Sequence, residues 1–294
     1  MRMNTNIGVI ILNYNEYAVT INCVNSFLKQ DTNGVDINIV IVDNNSTNES
    51  YNILNKTFEN YSNVYVLETG NNLGFANGNN MGYEFLKKTI SELDFIIISN
   101  SDILLPNNGL YDWIIDSYEK YKFSVLGPSI YSVTAKFYQN PVNNFSRDIS
   151  KLRKDYRKLT MDIVKVWIKF ILKIDKSKNR EKSINIWDNK FYNRVTKNLT
   201  LHGAFQIFSK KYFEYYDEPY DQRTFLYMEE DILKLRCDNF GLKMVYDPSY
   251  MVEHLQSAST HSSGNSLNKI DYLRMVNMRN SLRIYMKILK EGGK

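Results

Sequence analysis

Along the first hundred residues, short β-branched and aromatic runs alternate with longer stretches whose apolar positions recur every three or four residues. Ile7–Leu12, Ile37–Val42, Val64–Leu67 and Phe95–Ser99 predict strands, and Ala18–Lys29 and Ser50–Asn60 predict amphipathic helices. The strand runs are apolar throughout rather than alternating. Such strands are buried on both faces, which predicts a parallel sheet covered by helices on each side. Each run gives way to a polar loop: Asn13–Glu16, Asp43–Asn48, Asn71–Asn80 and Asn100–Asp102. Ligands of open α/β sheets lie beyond the carboxyl ends of the strands, so these four loops form a candidate binding rim.

The pattern changes near Arg147. Asp162, Lys165, Lys169, Lys173, Lys176 and Arg180 recur every three or four residues, and the positions between them as far as Ile174 are apolar, among them Val164, Val166, Trp167, Ile168, Phe170, Leu172 and Ile174. On a helix this is a narrow cationic stripe beside a broad apolar face. Mixed α/β character returns from Leu199 to Ser263, and Leu267–Lys290 reads as a basic amphipathic helix.

Composition narrows the class. The 294 residues are 43% apolar and 23% charged, as in ordinary globular chains, which excludes disorder and fibrous folds. Cys23 and Cys237 cannot make a disulfide framework and suit a reducing cytosol. The apolar stretch at Ile7–Leu12 is one strand long with no small-residue cleavage site, so it reads as a strand rather than a signal peptide. No uninterrupted apolar run is long enough to span a bilayer. The net charge of +5 is uneven: residues 147–182 hold 13 Lys/Arg against 5 Asp/Glu, which leaves the remainder acidic. The basicity is thus local. A nucleic-acid patch would not carry so wide an apolar face, and an interfacial helix would.

Four places could carry chemistry. Asp43, closing the second run, suits either a base or ribose contact or an Asx-turn before the next helix. Asn71–Gly82 packs three glycines among amides, with Gly74 and Gly78 placed to let backbone approach a ligand. Asn100-Ser101-Asp102 ends the fourth run in one carboxylate. One or two such groups suffice for a divalent ion whose remaining positions are filled by phosphate and water. Glu229-Glu230-Asp231 opens a helical pattern with more acid than capping requires. Their mutual repulsion would raise the pKa of a member and prepare a general base. His254 lies in a hydroxyl-rich stretch, and no Cys/His spacing supports a zinc site.

In order and spacing, these elements resemble the inverting family-2 glycosyltransferases with the GT-A fold, closest to the branch that builds bacterial surface polysaccharides. The resemblance is carried by Ile10–Glu16, Val42–Ser46, Asn72–Asn80, Asn100–Asp102, Gly203-Ala204 and Tyr227–Arg236, and it covers residues 7–146 and 199–262. It implies a Rossmann-like mixed sheet with helices on both faces, a basic helical insert and a C-terminal helical tail. The corresponding single domain divides into a nucleotide-binding half (1–146), the insert (147–198), an acceptor and catalytic half (199–262) and the tail (263–294).

The same resemblance assigns roles. Asn13, Asn15, Asp43, Asn72, Gly74 and Asn80 would hold the nucleoside, with Asp43 on the base. Asn100, Ser101 and Asp102 stand where the family has its Asp-x-Asp element, here with Asn first, so that Asp102 and His254 would hold Mn²⁺ or Mg²⁺. His202, Gly203 and Ala204 would line the donor sugar. Arg236 and Gly241 as anchors put the catalytic base at Glu230, with Asp231 and Glu229 as alternatives. The implied activity is sugar transfer from a UDP- or dTDP-type donor to a glycan hydroxyl on a polyprenyl-diphosphate-linked acceptor. The enzyme would sit in the cytoplasm, peripheral on the membrane, with residues 147–182 on anionic lipid and no nucleic-acid partner. The tail would join that surface or form a homodimer. A sugar-nucleotide nucleotidyltransferase or an inactive nucleotide-binding relative are the other readings. The first would want a Lys/Arg-bearing glycine loop near the N-terminus, which Asn13–Glu16 is not.

Overall fold

The computed structural model describes residues 5–142, 145–171, 192–256 and 267–292, of which 169–171 and 267–271 are described as backbone only. Lys173, Lys176, Arg180, Leu172, Ile174 and 257–263 lie outside the described residues.

The predicted strands form with one or two residues added at their ends: β1 (Thr5–Asn13), β2 (Val35–Asp43), β3 (Val64–Glu68) and β4 (Phe95–Asn100). Between them lie α1 (Tyr17–Leu28), α2 (Ser50–Phe58) and α3 (Gly74–Thr89). There follow β5 (Ile103–Leu104), α4 (Leu110–Tyr121), β6 (Val125–Ser132), β7 (Phe137–Tyr138) and α5 (Ile149–Ile171). The chain continues through β8 (Thr196–Lys197), β9 (Phe205–Ser209), α6 (Lys210–Phe213), α7 (Glu229–Asn239), β10 (Met244–His254) and α8 (Leu267–Lys290).

Among the described residues, ten strands join one mixed sheet in the order β3-β2-β1-β4-β9-β6-β10-β5, with β7 on β6 and β8 on β10. β1–β4 run parallel, and β9 inserts antiparallel between β4 and β6. The expectation of two covered faces is met residue by residue. Ile7, Val9 and Ile11 of β1 pack with Val24 and Phe27 of α1 and Ile114 of α4, while Ile10 packs with Tyr83 and Leu86 of α3 on the opposite side. Alternate side chains of a pleated strand point to opposite faces, so burial on both makes the run continuously apolar.

Two expectations change. The 71–80 stretch is a loop only as far as Leu73, because α3 begins at Gly74. The broad apolar face of the basic segment is divided. Leu152 joins a core with Ile232 and Leu235 of α7 and Leu282, Tyr285 and Ile288 of α8, and Ile163 is also buried. Met161, Val164, Trp167 and Ile168 remain exposed. Part of the face is thus ordinary core, and the C-terminal half of α8 is occupied within the chain. Among the described residues no helix is long and apolar enough to cross a membrane.

Candidate active site

The sheet register aligns the polar strand ends. Asn13 pairs with Asp43, Leu12 with Asn100, and Asp43 with Glu68, so four carboxyl ends meet at one rim. β9 brings in Ala204, whose carbonyl accepts from the Asn100 N–H at 2.9 Å. β10 pairs antiparallel with β5, setting His254 opposite Ile103 and therefore beside Asp102.

At the first part of the rim, Asp43 is fully buried. Its Oδ2 accepts from Asn13 Nδ2 and Ser46 Oγ, both at 2.7 Å, and its Oδ1 from the Ser46 N–H at 2.8 Å. Thr20 Oγ1 donates to Asn13 Oδ1 at 2.6 Å and fixes the amide's orientation. The carboxylate thus closes a turn onto the N–H three residues on and orders the loop through its side chain. Asn15, at φ 62, receives the Thr47 N–H on Oδ1 at 2.8 Å and ties the β1–α1 loop to the β2–α2 loop. Asn44, which sequence reasoning passed over, donates to Asn72 Oδ1 and the Gly74 carbonyl and accepts from the Leu73 N–H at 2.8 Å. It clamps the third loop to the second.

The glycines of α3 serve packing where a ligand approach was expected. A Cβ on Gly74, at φ +76, would stand 2.1 Å from the Phe225 carbonyl oxygen, and one on Gly78 would stand 2.5 Å from Leu12 Cδ1. Asn80 is turned to the 218–220 segment: its Nδ2 donates to the Tyr220 carbonyl at 2.8 Å and its Oδ1 accepts from the Tyr220 N–H at 3.1 Å. The structure therefore brings Asn13, Asn15, Asp43, Asn72 and Gly74 together but spends Asn80 on internal contacts.

At the second part, Asn100 and Ser101 are half-buried, while Asp102 and His254 are buried. Asp102 Oδ1 lies 3.2 Å from His254 Nε2, and His254 Nδ1 lies 2.7 Å from Gln139 Oε1. The Gln139 oxygen and the Asp102 carboxylate thus each face one ring nitrogen of His254. Carboxylate and imidazole are both ligands of divalent ions, and cis ligands of an octahedral ion stand about 3 Å apart, as Asp102 Oδ1 and His254 Nε2 do. The pair fits a hard divalent ion that also takes diphosphate oxygens and water. Among the described residues no cluster of three or more His, Cys, Asp or Glu offers a fuller protein cage.

The third part is the start of α7. Tyr227 and Met228 adopt φ 75 and 70, a costly conformation for non-glycine residues. They are held from both sides: Phe75 N–H donates to the Phe225 carbonyl at 2.8 Å, and Ser281 Oγ to the Leu226 carbonyl at 2.7 Å. This turn delivers three acids into three environments. Glu229 is buried with Oε1 unpartnered, and burial, with the charge of Glu230, pushes its carboxyl up to about 8. Burial and Glu230 likewise push Asp231 up to about 7. Glu230 itself reaches across to the turn before β9, where Oε1 accepts from the Gly203 N–H at 3.0 Å.

His202 connects these parts. Its Nδ1 accepts from the Ala204 N–H at 3.1 Å, and its ring centroid lies 6.0 Å from that of His254. Burial holds its pKa below the usual histidine range, although the nearby Glu230 charge pulls the other way. Besides Asn44, sequence reasoning missed Gln139 and Asn140, whose Oδ1 accepts from the His202 N–H at 3.0 Å. Neither carries a local signal, since each is an amide in an irregular stretch.

A polar rim at the strand ends of a mixed α/β sheet, with the Asp102–His254 pair on one side and an acidic helix start on the other, is the arrangement of the GT-A class of fold. The chain belongs to glycosyl transferase family 2, whose model matches residues 8–216. Among solved structures, residues 1–349 of S. aureus TarS in complex with UDP-GlcNAc superpose with a TM-score of 0.55 at 15% identity, covering 92% of this chain and 64% of that one. GalNAc-T7 with UDP, GalNAc and Mn²⁺ gives 0.56 at 12% identity, covering 94% of this chain and 48% of that one. At such identities the likeness is one of fold, and this chain spans less than two thirds of either. No curated protein sequence matches it.

Proposed function

We propose that the protein is an inverting glycosyltransferase that moves a sugar from a UDP- or dTDP-type nucleotide-diphosphate sugar to a hydroxyl of a glycan acceptor. The observation that carries this reading is Glu230 held on Gly203, at the rim where Asp102 and His254 face each other, in a chain of this family. TarS binds UDP-GlcNAc and GalNAc-T7 binds UDP and Mn²⁺, which supports a donor and an ion of these kinds.

Glu230 accepts the proton of the acceptor hydroxyl as its oxygen attacks the anomeric carbon from the face opposite the diphosphate. The bond from that carbon to the diphosphate oxygen breaks, the nucleoside diphosphate departs with the electron pair, and one displacement inverts the configuration. A positioned base of this kind contributes roughly 100- to 10,000-fold. Burial pushes Glu229 up to about 8 and Asp231 up to about 7, and Glu230 is the one of the three whose carboxylate meets the Gly203 N–H. Gly203 orients its carboxylate, and Ala204 and His202 border the donor sugar. Asn13, Asn15, Asp43 and Asn72 form the nucleoside wall, where the imide N–H of a uracil or thymine ring would compete with Asn13 for Asp43. Asp102 and His254 would hold Mn²⁺ or Mg²⁺, which when bound neutralises charge on the diphosphate.

The acceptor we favour is linked to polyprenyl diphosphate and met at the cytosolic face of the membrane, in bacterial polysaccharide or glycoconjugate synthesis. Incubation with UDP- and dTDP-sugars, Mn²⁺ and such an acceptor should release nucleoside diphosphate and lengthen the glycan. Pyrophosphate release from a nucleoside triphosphate and sugar phosphate would favour the nucleotidyltransferase instead. Donor binding without turnover on any acceptor would favour an inactive relative.

A further inference from the structure

The divided face of α5 points to a surface separate from the rim. Lys154, Arg157, Met161, Val164 and Ile168 follow one another at spacings of three and four, which lines them along one side of a helix. All five are exposed, and the line passes from cationic to apolar along its length. Lys151, Arg153, Lys158 and Lys165 flank it, also exposed. Met161, Val164, Trp167 and Ile168 are 57%, 49%, 52% and 44% exposed, a concentration of apolar area unusual for one helix end facing water. The opposite side is anchored, with Leu152 in the core shared by α7 and α8, so the outer face is presented on a fixed support.

We propose that this outer face of α5 docks on an anionic lipid bilayer. Charge complementarity selects that occupant. The cationic half matches lipid phosphates, and the apolar half with its tryptophan matches the boundary between headgroups and acyl chains. A second copy of the chain would set this cationic face against itself, and a nucleic acid would leave the apolar half in water. The two acids on this stretch do not cancel the charge: Asp162 pairs with Lys165 at 3.0 Å, and Asp155 stands among the basic residues. The docking stands on α5 alone and does not depend on the catalytic reading.

Flotation of the full chain with vesicles tests it, using phosphatidylglycerol mixed with phosphatidylcholine against phosphatidylcholine alone. The wild type should float with the anionic vesicles, less so at high salt, and stay behind with the neutral ones. Neutralising three charges with Lys154→Gln, Arg157→Gln and Lys158→Gln should weaken partition about a hundredfold, at roughly fivefold per basic residue. Met161→Ser, Val164→Ser, Trp167→Ser and Ile168→Ser together should also abolish flotation while leaving the melting temperature near wild type, since these side chains contact solvent. Failure of the wild type to float, or flotation unchanged in both variants, overturns the proposal. So does a dimer in light scattering that the serine variant dissociates, which would make the face an interface between copies. Vesicle binding with no sugar transfer would count against the catalytic reading alone.

Discussion

The backbone N–H of Gly203 donates to Glu230 Oε1 at 3.0 Å, and a Cβ at position 203 would stand 3.1 Å from that same oxygen. The carboxylate is therefore aimed by the turn that leads into β9, across 27 residues of sequence. Glu230→Gln keeps the shape and the hydrogen bond but removes the base. Turnover should fall roughly 100- to 10,000-fold with donor affinity nearly unchanged. Steady-state kinetics beside donor titration checks this, and a variant retaining more than about a tenth of the wild-type rate would put the base elsewhere, well outside that range.

Gly74 is held at φ +76 with the Phe225 carbonyl against it. Gly74→Ala should destabilise the fold by more than the roughly 1–3 kcal/mol that a left-handed non-glycine residue costs, because the carbonyl must also move. Gly109, at φ +90 with open space around it, supplies the control. Gly109→Ala should show the backbone cost alone. Urea unfolding of both variants measures the difference, and equal losses would mean that Phe225 shifts freely.

Glu229 sets a pH dependence of stability. Its carboxyl titrates at about 8 in the folded chain, far above the ordinary range of the unfolded one. Between those values the native state binds the extra proton, so stability is full below the unfolded pKa and is lost as pH rises toward 8. The melting temperature of the wild type should decline from pH 5 to pH 8. Glu229→Gln should flatten part of that decline and exceed the wild type at pH 9, with Asp231 keeping a smaller slope in both. Parallel wild-type and variant curves across this range would refute the assignment.

Gln139 fixes the imidazole that faces Asp102. If Asp102 and His254 hold a divalent ion, Gln139→Leu should weaken Mn²⁺ affinity about 10- to 100-fold, the usual cost of losing such a support. Asp102→Asn should abolish the Mn²⁺-dependent part of the thermal shift produced by UDP. Unchanged Mn²⁺ titration curves in both variants would remove the ion from this pair.

Much of the rim was legible because strand ends announce themselves: a β-branched run that stops at Asn13, Asp43 or Asn100 places a polar side chain at the sheet's edge whatever the rest of the chain does. The acidic helix start was legible for the same local reason. Gln139, Asn140 and Asn44 were not, since an amide in irregular chain acquires its meaning from the group it meets. Gln139 meets His254 across 115 residues and Asn140 meets His202 across 62. The glycines of α3 misled because the freedom that admits a phosphate also admits a leucine or a carbonyl.

By itself the sequence determined the alternation of strand and helix, the two-sided burial of the sheet and the positions of its polar ends, since period and polarity are local properties. It also determined that the basicity belongs to one segment. Tertiary structure decided which of three adjacent acids meets the Gly203 N–H, which side of α5 is core and which faces out, and where Asn80 spends its amide. Those outcomes depend on desolvation and on partners far along the chain, and neither is encoded in the neighbours of a residue.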